Sequence, residues 1–85
     1  MKIENLLNAI NELIVELNNS SKKSSADFFM LKYEAIKKQN DALESIKELS
    51  MCRAMAQYAN FSLAEESKLD TVVECAIDIL KKHKP

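Results

Sequence analysis

The chain contains no glycine, and its single proline is the last of its 85 residues. Ordinary usage of roughly 7% would supply about six glycines. Without them, every left-handed backbone position falls to Asn, Asp or Ser at a steric cost. Helix is the regular state that avoids such positions, so the absence predicts a nearly all-helical protein. It also excludes function classes, because glycine-rich phosphate loops and nucleophile elbows need the missing residue.

A chain this short forms one domain, and it buries only about 60% of the surface that its unfolded form exposes, so oligomerisation is a natural source of extra stability. Twelve Lys plus Arg stand against thirteen Asp plus Glu, which leaves no net field to recruit nucleic acid or an anionic membrane. Arg53 is the only arginine, and Lys lacks the planar fork that reads phosphates and base edges. No uncharged run approaches the ~18 apolar residues of a membrane span. The start, Met1-Lys2-Ile3-Glu4-Asn5, interrupts its first apolar stretch with polar groups, and the chain reads as cytoplasmic. Cys52 and Cys75 are too few for a disulfide framework and read as buried thiols.

Ile3, Leu6, Leu7, Ile10, Leu13, Ile14 and Leu17 step by three and four, which places them on one face of a helix over about 3–18. A polar loop over 18–25 follows, rich in Asn and Ser that compete for backbone hydrogen bonds. Ser24 and Asp27 resemble a capping box opening a second helix. Nothing stops that helix until Asn60, so it is expected over 26–59, with Phe28, Ala35, Ala42, Leu49 and Ala56 recurring every seven residues. Asn60 can take the left-handed cap that glycine usually supplies, and Ser62 with Glu65 forms another capping box. The third helix is expected over 63–82, its core made by Leu69, Val72, Val73, Ala76, Ile79 and Leu80. Lys81, Lys82, His83 and Lys84 complement its negative C-terminal dipole.

A helix over 26–59 is about 51 Å long, whereas a compact chain of this size has a radius of gyration near 12 Å. It must either break, for which Asp41 offers a new cap after Gln39-Asn40, or be covered by a second copy. The expected architecture is an all-α antiparallel bundle of three helices with a long central helix, completed by homodimerisation.

Phe29, Tyr33, Met51, Met55, Tyr58 and Phe61 lie off the main stripe and form a second apolar face. Two copies crossing antiparallel near Leu43 and Glu44 would set Phe29 against Tyr58 and Tyr33 against Met55. The alternatives are an intrachain core and a groove for another protein, since Met-rich surfaces repack around varied partners. In a hairpin turning at Phe61, Arg53 faces Glu66 or Asp70, and the expectation is a structural ion pair with Asp70. Glu65, Glu66, Asp70, Glu74 and Asp78 make the last helix acidic, a face suited to a basic protein surface. His83 is the only histidine, so metal sites and Ser-His or Cys-His catalysis lack their usual components. No catalytic, cofactor or metal site is expected. The functional expectation is a small non-enzymatic interaction or regulatory protein of adapter, chaperone or inhibitor type, occluding or scaffolding a partner protein. The alternative is a dimeric nucleic-acid-associated regulator presenting paired Lys22-Lys23 loops.

Overall fold

Four residues other than glycine adopt left-handed backbone, Ser21 (φ 61°), Gln39 (φ 56°), Asp41 (φ 57°) and Asn60 (φ 56°), and every one lies between helices. The computed structural model describes residues 2–82. These form α1 (Lys2–Asn19), α2 (Lys23–Lys37), α3 (Ala42–Ser50), the single turn α4 (Met55–Tyr58) and α5 (Leu63–Lys82). No strand occurs among the described residues.

Three of the left-handed residues end helices as glycine usually does. The N–H after each bonds a carbonyl five residues back: Lys22 to Leu17 at 2.9 Å, Asn40 to Ala35 at 2.9 Å and Phe61 to Ala56 at 3.0 Å. This is the Schellman closure, with Ser21, Gln39 and Asn60 where glycine normally sits. Asn tolerates that conformation because its short amide bonds locally, whereas Gln carries most of the roughly 1–2 kcal/mol steric cost. Gln39→Gly is therefore expected to raise stability by about 0.5–1 kcal/mol, after allowance for the greater freedom of glycine in the unfolded chain. Urea unfolding checks this, and a lower midpoint for the variant would contradict the strain argument.

The single helix expected over 26–59 is not formed. It ends at Lys37, restarts at Ala42 after the left-handed Gln39 and Asp41, and breaks again after Ser50. The molecule measures 39 × 21 × 19 Å with a radius of gyration of 12.0 Å, too short for an unbroken helix of about 51 Å. Reversal lets Phe29 and Ile36 of α2 and Ile46 and Leu49 of α3 bury against one core. Each such side chain contributes about 1.5–3 kcal/mol, which outweighs the strain of two left-handed residues.

Two further expectations change. The α1–α2 connection is confined to residues 20–22 rather than 18–25. The Ser24–Asp27 capping box is absent: Lys22 is the residue before α2, with no side-chain cap. The Schellman turn at Ser21 delivers the chain directly into α2, leaving Ser24 inside its first turn.

In place of three helices with a long central one, four helices form the bundle. α1 packs on α2 and α5, α3 packs on α2 and α5, and α4 touches only α5. The starts of α1 and α3 meet the ends of α2 and α5 at one end of the bundle, which makes this an up-down-up-down arrangement. The predicted face of α1 is its core face, with Leu6, Ile10, Leu13, Ile14 and Leu17 all buried; α5 contributes Leu69, Val72, Val73 and Ala76. Ion pairs brace the outside, Lys32–Glu48 between α2 and α3 and Lys68–Glu12, at 3.5 Å, between α5 and α1.

Candidate functional site

The connection from α3 to α5 and the first residue of α5 carry the most exposed large apolar side chains among the described residues. Met51 is 75% exposed, Tyr58 87% and Leu63 84%. The segment is pinned from beneath by Ala56, which is buried, and by Cys52, Met55 and Phe61, which are partly buried against the core. Side chains anchored below and apolar ones exposed above give a surface that is held in place but uncovered.

The six residues of the expected second apolar face therefore separate. Phe29 is fully buried, its ring meeting Phe28 edge-on at 5.0 Å. Tyr33 packs partly on the core with the Lys37 ammonium 5.8 Å from its ring centre. Met55 and Phe61 are half-buried, and only Met51 and Tyr58 are open. The seam that paired Phe29 with Tyr58 depended on a continuous helix and loses its geometry with the break. Leu63 was missed in the sequence, although its position outside the Leu69/Val72/Ala76 stripe marks it as a residue without a core place.

Arg53 Nε lies 3.3 Å from Asp70 Oδ1, with both side chains about half exposed. A pair so open to water contributes at most about 1 kcal/mol and ties the connection loosely to α5. Cys52 donates its Sγ–H to the Leu49 carbonyl at 3.1 Å. Burial pushes its thiol up to about 11, against smaller lowering by a backbone hydrogen bond and the Arg53 charge. It is a neutral thiol at pH 7 and a poor nucleophile. Cys52 and Cys75 are both half-buried rather than fully enclosed.

The acidic face of α5 loses one of its five members to the interior. Glu65 is fully buried, while Glu66 and Glu74 are exposed. Asp70 faces Arg53 and Asp78 lies 3.9 Å from Lys82. The Ser62–Glu65 capping box is formed in both directions: Ser62 N–H donates to Glu65 Oε1 at 2.8 Å, and Glu65 N–H donates to Ser62 Oγ at 3.2 Å. Lys22 Nζ, from the α1–α2 turn, donates to the same Oε1 at 2.9 Å. Burial alone raises the Glu65 pKa, but the Ser20 side chain, the Ser62 N–H and the Lys22 ammonium overcome it and hold the carboxyl at about 2. This clasp fixes the start of α5, and hence Leu63, against the end of α1.

At the opposite end of the bundle the N-termini of α1 and α3 and the C-termini of α2 and α5 surround an open groove of about 520 Å³. Among the described residues no group of three His, Cys, Asp or Glu side chains is placed to hold a metal ion. No described helix is long and apolar enough to cross a membrane. His83 and Lys84 lie outside the described residues. No family model, curated protein or solved structure matches this chain.

Proposed function

We propose that this chain is a small non-enzymatic interaction protein that docks a partner protein on the α3–α5 connection and acts by occluding or scaffolding it. The observation that carries the reading is the exposure of Met51 and Tyr58 in the α3–α5 connection and of Leu63 at the first position of α5, on a bundle with its own buried core. Large apolar side chains clustered at a surface mark interaction sites. Tyr supplies rigid contact area, and Met adapts to the partner's shape. Glu66, exposed one turn into α5, gives this surface an acidic border suited to a partner with an apolar centre and a basic rim. Lys22 and Lys23 are engaged with Glu65 at 2.9 Å and Asp27 at 3.6 Å, which favours a protein partner over a nucleic acid read by that loop.

A second copy of the chain is the simplest such partner, and a homodimer through this surface would supply the burial that a small bundle lacks. The test places a photo-crosslinking side chain at Tyr58 and, as control, at the exposed Asn11 on α1, in cells that express the chain. One dominant adduct from position 58 and none from position 11 is expected, and an adduct of twice the chain mass identifies the homodimer. Equal adducts from both positions, or none from position 58, would defeat the reading. The double variant Tyr58→Glu, Leu63→Glu is expected to lose the adduct formed from a probe at Met51. Its folding stability should stay within about 0.5 kcal/mol of the parent, as expected for exposed sites.

A further inference from the structure

We infer that the groove at the end of the bundle opposite the α3–α5 connection binds a linear anionic amphiphile, a free fatty carboxylate of medium chain length. All four bundle helices contribute to it, through Ile3, Leu7, Ile36, Leu43, Ile46 and Ile79. Ile36 and Ile46 are buried and form the floor, whereas Leu43 is 41% exposed at the edge. The volume, about 520 Å³, lies within the roughly 300–1,000 Å³ of small-molecule sites, which commonly form between the helices of bundles.

The polar residues at the groove select the head group. Among the described residues lining it they are Lys37, Gln39 and Lys82, two cations and an amide, with no carboxylate. Neither lysine is firmly engaged: Lys82 stands 3.9 Å from Asp78 with its side chain 60% exposed, and Lys37 hovers 5.8 Å from the centre of the Tyr33 ring. Both have long, flexible stems that can follow a head group at the rim while the apolar tail lies along the isoleucines. A partner helix fits less well. At about 10–12 Å across and 5.4 Å per turn, one helical turn already takes up roughly 400–600 Å³, so the groove of about 520 Å³ seats little more than a single turn but a whole alkyl chain of medium length.

The test is titration of the full chain with dodecanoate below its micelle concentration, read by calorimetry and by amide and methyl NMR shifts. The expected result is saturable one-to-one binding, with shifts centred on Ile3, Leu7, Leu43 and Ile46. Each methylene removed from the ligand should weaken binding about two- to fourfold, the upper figure being full burial of one CH₂. Dodecyltrimethylammonium should bind at least tenfold more weakly, and the variant Lys37→Glu, Lys82→Glu should reverse that preference. Leu43→Glu, at an exposed edge, should abolish binding and leave the helical signal unchanged. Absence of saturable binding, equal affinity for the cationic amphiphile, or shifts centred on Met51 to Leu63 would overturn the inference. So would a doubled mass in light scattering that Leu43→Glu returns to 9.7 kDa, since a second copy would then fill the groove. Adsorption to anionic phospholipid vesicles without binding of monomeric dodecanoate would overturn it as well.

Discussion

Phe29→Ala is expected to cost about 3–5 kcal/mol of folding stability, the usual loss for emptying a buried aromatic site. A chain of this length has roughly 4–13 kcal/mol in total, so the variant should be largely unfolded in moderate urea. Phe29 has no exposed surface and its ring meets that of Phe28 edge-on at 5.0 Å, so truncation removes both the burial and the ring contact. Tyr58→Glu is the matched contrast. At 87% exposure it should change the folding stability read from urea unfolding by no more than about 0.5 kcal/mol. A dimer seam across Phe29 and Tyr58 would make both variants act on assembly. The closed bundle makes one act on folding and the other on partner binding alone. Equal midpoints for Phe29→Ala and the parent would show that α2 is not packed in this bundle.

How much of this was legible differs from one element to the next, for physical reasons. The α1 core face follows directly from its three-and-four spacing. The end of α4 and the start of α5 were readable because Asn60 and the Ser62–Glu65 box are local chemistry, decided within a few residues. The break between α2 and α3 was readable only as an alternative: Asp41 marked where a new helix could start, but Lys37 to Asp41 contains neither Gly nor Pro and a left-handed position falls on Gln39. Burial of Ile36, Ile46 and Leu49 decides it, and that is a tertiary effect overriding local propensity. A seven-residue repeat from Phe28 to Ala56 also fits two short antiparallel helices, so periodicity did not separate the alternatives. Within the candidate site, Met51 and Tyr58 were visible as apolar residues off the core stripe. Glu65 was misplaced on an acidic surface because Lys22, its ion-pair partner, is 43 residues away in sequence.

Glu65→Gln is expected to remove roughly 3 kcal/mol of stability at pH 7 and most of the acid sensitivity of the fold. The Glu65 carboxyl is held at about 2 against an ordinary value of 4.5, so between those limits the unfolded chain binds more protons than the native one. Its contribution is therefore complete above about pH 4.5 and is lost as pH falls through about 2. A displacement of that size, at 1.36 kcal/mol per pH unit, gives the roughly 3 kcal/mol. Oε2, buried with no hydrogen-bond partner among the described residues, is where the burial penalty falls, while Oε1 collects the Ser62 N–H and the Lys22 ammonium. Gln preserves the shape and the capping geometry, which isolates the charge. Glu65→Ala removes the cap as well and should cost about 1 kcal/mol more. Lys22→Met leaves the carboxylate buried with fewer donors, so its pKa rises and the acid transition moves to higher pH. Urea unfolding at pH 7, 5, 3 and 2 reads all three variants. Parallel pH profiles for the parent and Glu65→Gln would mean that the clasp between the α1–α2 turn and α5 does not hold the carboxylate in solution.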